Sequence, residues 1–251
     1  MSKSLEKGID ALLSLAARKS IGVTELAKVL KVNKSTAFRI LDTFQKANMV
    51  EKDNKTLKYR LGPAILGLSD RYYNNSNIIK VARPVMKQLA ADIHESVHLC
   101  VLSNNNAVIV DQVVPSKFVR STKIGNNEPL HCSAVGKCLL AFTHEKNRNE
   151  ILSGLSFDVF TEKTINNMGE LNSEIQQVWE SEYAVDNEEL NSGVKCVAVP
   201  IFEGHGASVY SMGVSAPASK MPPEKINAMV PLLIKAAKYI TDNGWKMAWE
   251  Q

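Results

Sequence analysis

No apolar run in the sequence approaches the roughly 18 residues a membrane-spanning helix needs, so no membrane partner is expected. A secretory signal is lacking as well. Met1-Ser2-Lys3 leads straight into an amphipathic pattern with Glu6, Lys7 and Asp10, and a cytoplasmic location is expected. Cysteine is scarce: the four residues Cys100, Cys132, Cys138 and Cys196 form no CxxC pair, which excludes a zinc ribbon and a dithiol redox motif. In that compartment a structural disulfide is not expected either. His94, His98, His144 and His205 show no metal-ligand spacing with a carboxylate partner, so no metal and no cofactor are expected. Internal repeats and low-complexity segments are absent.

What is present suits two domains. The 251 residues are 45% hydrophobic and 22% charged, enough for a sizeable core in the larger part. Charge is divided unevenly. Residues 1–75 hold 14 Lys and Arg against 7 Asp and Glu, a surplus of seven; the remainder has 16 against 19, a deficit of three, giving +4 in all. A basic excess confined to one segment is the footprint of a phosphate-binding module.

That segment contains two short helical patterns across a tight polar break. Leu26, Ala27, Val29 and Leu30 recur at helical spacing behind Thr24, a candidate N-cap; Lys31-Val32-Asn33 is the break; Ala37, Ile40, Leu41 and Phe44 form the next buried stripe. The stripe leaves Lys34, Ser35, Thr36, Phe38 and Arg39 around the start and outer face of the second helix, where a helix-turn-helix presents residues to the major groove. Met49–Lys52 and Thr56–Leu61 read as two strands around the turn Asp53-Asn54-Lys55, with Lys52, Lys55, Lys58 and Arg60 beside the DNA backbone. An earlier helix, with Leu5, Ile9, Leu12, Leu13 and Ala16 on its core face, closes a winged helix-turn-helix. A mostly solvated basic surface is the plainer alternative for the same lysines.

Gly62-Pro63 ends the wing, and the polar cluster Asn74–Asn77 marks the domain boundary. We expect residues 1–62 as a DNA-binding domain, 63–77 as a helical linker and 78–251 as an α+β sensor domain. Within the last, Ile78–Ile93 is a helix with Val81, Val85, Leu89 and Ile93 on one face and a kink or restart at Pro84. Val97–Ser103 and Ala107–Val113 form a hairpin, Phe118–Ile124 a third strand, and Gly125–Pro129 no regular structure. Further helices are expected at Ser133–Phe142, Glu145–Leu152, Met168–Glu182 and Pro223–Thr241. Strands are expected at Gly193–Phe202 and Ser208–Ser215, around the turn Glu203–Gly206.

Leu130-His131-Cys132-Ser133-Ala134-Val135-Gly136-Lys137 is the most informative stretch of this half. Ser133 caps a helix of small residues, whose first N–H groups have no internal partner and sit at the positive end of the helix dipole. The amides of Ala134 and Val135 are placed to hold a carboxylate; close helix packing is the alternative use of the same small residues. Asp186, in an acidic loop 186–189, with Cys196 and Ser215 on the strands that follow, can supply directional polar contacts to the rest of such a ligand. A thiol enzyme would instead use Cys132 or Cys196 as nucleophile with His131 as base, and a redox regulator would use the cysteines as its input.

Three stretches in this order, behind the winged helix, are similar to the IclR family of bacterial transcription regulators. They are Ile124–Phe142, Ala184–Phe202 and the strand ending Ser215-Ala216-Pro217, and the resemblance spans essentially the whole chain. It implies a winged-helix domain joined by a helix to a GAF-like α/β effector-binding domain. It also implies homodimers or dimers of dimers on double-stranded operator DNA, and a small organic-acid effector: an oxo acid, a sugar acid or an aromatic acid. By resemblance Ser133, Ala134 and Val135 form the carboxylate site and Asp186, Cys196 and Ser215 its polar lining. Where many relatives have a second strand serine this chain has Gly213, which is expected to leave room for a bulkier ligand or a water. The wording of Arg120–Leu130 resembles regulators of ketodeoxygluconate catabolism. The expected function is ligand-responsive repression of a catabolic operon, without enzymatic activity.

Overall fold

The computed structural model describes residues 2–115, 123–202 and 208–245, and the chain divides into two compact units, Met1–Asn75 and Ser76–Gln251. The first contains helices α1 (Lys3–Ala16), α2 (Val23–Val29) and α3 (Lys34–Lys46), strands β1 (Val50–Lys52) and β2 (Tyr59–Leu61), and helix α4 (Ala64–Asn75). Ala11, Leu15, Ile21, Leu26, Ala27, Leu30, Ala37, Leu41, Val50 and Tyr59 make its core. The break between α2 and α3 turns on Lys31, in the left-handed region at φ 51°, and on Asn33, whose side chain accepts the Thr36 N–H at 2.8 Å and so caps α3. β1 and β2 pair antiparallel, and Ile21 exchanges both backbone hydrogen bonds with Tyr59, which ties the hairpin to the chain before α2. This is a winged helix-turn-helix.

Three local expectations for this unit fail. Helix α1 buries Gly8, Ala11 and Leu15, whereas Leu5, Ile9 and Leu13 are at least half exposed. Apolar residues lie on both faces of α1, and the Phe44 ring packs against Gly8, where a Cβ would stand at an ordinary contact distance of 3.4 Å. Val29 is likewise exposed. The second wing strand begins at Tyr59, not Thr56, because residues 53–58 form one longer turn. Asp53 Oδ1 accepts the N–H groups of Lys55 and Thr56, both at 2.8 Å, and Leu57 adopts a left-handed φ of 57°.

The second unit runs α5 (Asn77–Ile93), β3 (Ser96–Ser103), β4 (Asn106–Val113), β5 (Asn127–Glu128), α6 (Ala134–Phe142), α7 (Glu145–Ser153), α8 (Met168–Ser181), β6 (Ala184–Asn187), β7 (Val194–Phe202), β8 (Ser208–Pro217) and α9 (Pro223–Gly244). Its sheet is antiparallel throughout, in the order β5-β4-β3-β8-β7-β6. Asn104 and Asn105, both left-handed, make the tight β3–β4 turn. Strand side chains alternate between faces. Cys196 and Ala198 on β7 join the cluster formed by α6 and α8, while Val197 and Val199 point to the opposite face, which carries α5 and α9.

The differences here are local. Helix α5 runs unbroken past an exposed Pro84, and its buried face is Ile78, Ile79, Ala82, Met86, Leu89 and Ala90; Val81, Val85 and Ile93 are only half-buried. Asn127 and Glu128, within the stretch expected to be irregular, pair with Val108 and Ala107 as β5. Asp186 and Asn187 belong to edge strand β6 rather than to a loop. Most of the expected strand 118–124, and the turn 203–206, lie outside the described residues; Lys123 accepts a turn hydrogen bond from Asn126.

Candidate functional site

In the first unit the chemistry is on the surface. Helix α3 buries Ala37 and Leu41 and presents Lys34, Ser35, Phe38 and Arg39 outward, with Thr36 half-buried. Ser35 Oγ donates to Asn33 Oδ1 at 2.8 Å, so the cap residue, which sequence reasoning treated only as part of a break, also fixes the first exposed hydroxyl. Thr24 is exposed in the first turn of α2, but Gly22 is the N-cap, so the capping role expected of Thr24 is not realised. On the wing, Lys55 and Lys58 are exposed at the turn. Lys52 Nζ lies 5.6 Å from the centre of the Tyr59 ring, and Arg60 donates to Glu51 Oε2 at 3.1 and 3.0 Å. Arg60 is thus partly neutralised, which leaves Lys55 and Lys58 as the freer cations of the wing. The Asp53 carboxyl is held below the usual range, first by the Thr56 N–H and then by the Lys55 N–H, which keeps the turn closed at neutral pH.

In the second unit the chemistry is buried. Strand register places Asp186, Cys196 and Ser215 directly opposite one another across β6, β7 and β8, and Ser96 of β3 continues the row. Cys196 Sγ and Ser215 Oγ are hydrogen-bonded at 3.1 Å. Asp186 Oδ1 accepts the N–H groups of Glu189 at 2.7 Å and Leu190 at 3.3 Å, so this carboxylate folds the β6–β7 loop over the end of the row. Against the same face lies the start of α6. Ser133 Oγ accepts the Gly136 N–H at 3.0 Å and donates to the Pro129 carbonyl at 2.6 Å, and the Lys137 N–H goes to the Ser133 carbonyl. The N–H groups of Ala134 and Val135, both in fully buried residues, donate to no acceptor among the described residues. Gly136 permits this approach: a Cβ there would stand 2.6 Å from the Pro129 carbonyl oxygen and from Leu130 Cα.

Gly213 behaves differently from the expectation. No room is left above it. A Cβ at this position would meet His98 Nε2 at 2.4 Å and Val135 Cγ1 at 2.8 Å, because the His98 imidazole already covers the glycine. Nothing local in the sequence marks His98 for this place; it arises from the register of β3 against β8.

Sequence reasoning also missed the ion cluster beneath the loop. Lys137, wholly buried, holds Glu189 Oε1 at 2.7 Å and Glu174 Oε1 at 2.8 Å. Burial pushes the Glu189 carboxyl up, against the pull of the Lys137 ammonium. The thiol readings gain no support from this geometry. His131 Nε2 is hydrogen-bonded to the Asp158 carbonyl at 3.0 Å and its ring packs on Phe157 and Phe160, so it is committed elsewhere. Burial, with the Asp186 and Glu189 charges next, pushes the Cys132 thiol up to about 12, and burial pushes Cys138 up to about 12. A thiol held protonated is a poor nucleophile and reacts slowly with oxidants.

Comparison with known proteins gives the same division. Residues 4–54 match the IclR helix-turn-helix domain and residues 70–242 the C-terminal domain of the bacterial transcriptional regulator IclR. The chain is 31% identical over 240 residues to the transcriptional regulator KdgR of Dickeya chrysanthemi, covering 95% of this chain and 79% of that protein. It is 30% identical over 239 residues to the KdgR of Escherichia coli, covering 95% and 91%. The IclR transcriptional regulator of Alicyclobacillus acidocaldarius superposes with a TM-score of 0.85 at 25% identity, over 97% of this chain and 99% of that one. A surface-basic winged helix, a separate sensor sheet and relatives that are regulators rather than enzymes lead to one conclusion: the chain belongs to the IclR family of DNA-binding transcriptional regulators.

Proposed function

We propose that this regulator is a repressor of a catabolic operon that releases or re-seats on its operator when a small organic acid binds the second unit. The observation that carries the proposal is the pair of buried, unspent N–H groups at Ala134 and Val135, beside the row Asp186–Cys196–Ser215. A carboxylate suits them, since it accepts from two amides at the positive end of a helix and is itself negatively charged. The polar row suits the hydroxyl or carbonyl oxygens of an oxo acid, sugar acid or aromatic acid. A sugar acid such as ketodeoxygluconate is favoured by the wording of residues 120–130.

On DNA, Lys34, Ser35, Thr36, Phe38 and Arg39 would face base edges and nearby phosphates. Thr24, Lys52, Lys55, Lys58 and Arg60 would follow the backbone. Action as a homodimer, or a dimer of dimers, fits exposed apolar side chains in the first unit, and a cytoplasmic location goes with binding operator DNA. Leu5, Ile9 and Leu13 form one face of α1, and α4 buries none of its residues and exposes Leu66, Leu68 and Tyr72. A second copy would cover such faces. The effector can act only through a difference in affinity between dimer geometries.

Asp186→Ala tests the sensor assignment. Acid binding measured by calorimetry should weaken at least tenfold, with operator affinity in the absence of the acid unchanged. Unaltered acid affinity removes Asp186 from the site.

A further inference from the structure

Strand register carries one residue into the sensor site that no motif marks. His98 on β3 stands directly opposite Gly213 on β8, one row along the sheet from Asp186, Cys196 and Ser215. Rows two residues apart on a strand share a face and lie about 6–7 Å apart. Between the edge strand and His98 this second row holds only Ala184, Ala198 and Gly213, none of which offers a side-chain hydrogen bond. His98 is 4% exposed. One point locates it closely: a Cβ built on Gly213 falls 2.4 Å from His98 Nε2, 2.9 Å from Cε1 and 2.8 Å from Val135 Cγ1. The ring edge therefore lies across the glycine and against the first turn of α6, the turn whose Ala134 and Val135 amides are proposed above to hold the carboxylate.

We infer that His98 is a specificity-determining residue of the effector site: its imidazole, standing over Gly213, hydrogen-bonds an oxygen on the carbon chain of the acid. The site then takes oxo- or hydroxy-substituted acids and rejects plain aliphatic acids of the same length. This rests on the carboxylate reading of Ala134 and Val135. The chemistry follows from position. His98 shares a strand face with the row Asp186–Cys196–Ser215 and stands against the first turn of α6, so an acid held by that turn would have an imidazole beside its chain, a group whose nitrogens can meet either a carbonyl or a hydroxyl. A buried site built to hydrogen-bond such an oxygen discriminates strongly against an analogue without it, because the polar groups would be left unpaired. Gly213 and His98 form one unit in this account, since any side chain at 213 would displace the ring.

The test uses the full-length protein and calorimetric titration with pyruvate, gluconate and ketodeoxygluconate, with hexanoate as the six-carbon acid lacking chain oxygens. The wild type should bind at least one oxygenated acid and discriminate against hexanoate by tenfold or more. His98→Phe, which keeps a ring and loses both nitrogens, should weaken the bound oxygenated acid at least tenfold and leave hexanoate within about twofold. Two double variants separate polarity from packing. His98→Ala with Gly213→Ser restores a hydroxyl from the neighbouring strand and should recover much of the discrimination; His98→Ala with Gly213→Ala should not. This pair decides the matter if His98→Phe fails to fold. Undiminished binding of the oxygenated acid by His98→Phe, or equal recovery by both double variants, would overturn the role of His98 while leaving the carboxylate site intact. Binding of none of the four acids by the wild type would overturn the carboxylate reading, and this inference with it.

Discussion

The two units use charge in opposite ways. In the winged helix the pair Arg60–Glu51 is 3.0 Å long but its side chains are 65% and 44% exposed, so water screens it and it contributes about 0–1 kcal/mol. In the sensor unit Lys137 is wholly buried and holds two carboxylates at 2.7 and 2.8 Å, where loss of one partner leaves uncompensated charge out of water. The first unit keeps its functional groups outside a small apolar core, free to meet a large polyanion. The second buries them, which suits the proposed capture of a small ligand by preset donors. A change in the first unit should alter binding with little effect on folding. A change in the second should affect both.

The sharpest test of that contrast is Lys137→Met. Leaving Glu189 and Glu174 without their cation should destabilise the sensor unit by about 3–5 kcal/mol in denaturant melts. Arg60→Ala should cost less than about 1 kcal/mol by the same measurement. Similar losses for the two would break the comparison. Next comes Arg39→Ala. Operator affinity should fall by about 1–3 kcal/mol, roughly 5- to 150-fold, with the melting curve and acid binding unchanged. Asn33→Ala should cost about 1 kcal/mol of stability through loss of the Thr36 N–H bond, and should also weaken operator binding by freeing Ser35. A pure stability loss would confine Asn33 to capping.

How much of this was legible depends on whether neighbours in sequence or in space build the feature. Asn33 to Leu41 could be read locally, because a cap and a stripe at helical spacing lie within one helix. Ser133 and the small residues after it could be read for the same reason. The core face of α1 could not: Leu5, Ile9 and Leu13 have the spacing of a buried stripe, yet the small Gly8 and Ala11 allow closer packing and take the inner face. The acidic run 186–189 reads as a loop, and Asp is depleted in strands, yet Asp186 lies in β6. Here its carboxylate caps the loop that follows, and an edge strand tolerates it. The partnerships of His98 with Gly213 and of Lys137 with Glu189 join residues 115 and 52 positions apart, so only strand register and loop closure bring them together.

The smallest expected effect concerns the thiols. With Cys132 and Cys138 raised to about 12, both stay protonated across the neutral range. At pH 8 their thiolate fraction is roughly a thousandth that of an unperturbed thiol, so alkylation of the folded protein should be slow there and speed up only in strong alkali or on unfolding. Rapid labelling of either at pH 8 would return weight to a redox input.

The central claim, that the enclosed half of the molecule is a carboxylate sensor, is met most directly by a thermal-shift screen of the full-length protein against small organic acids. A ligand that binds only the folded state raises the melting temperature. Selective stabilisation of the wild type by one oxo acid or sugar acid, lost in Asp186→Ala, is expected. A screen in which no acid shifts the wild-type melting temperature would contradict the claim.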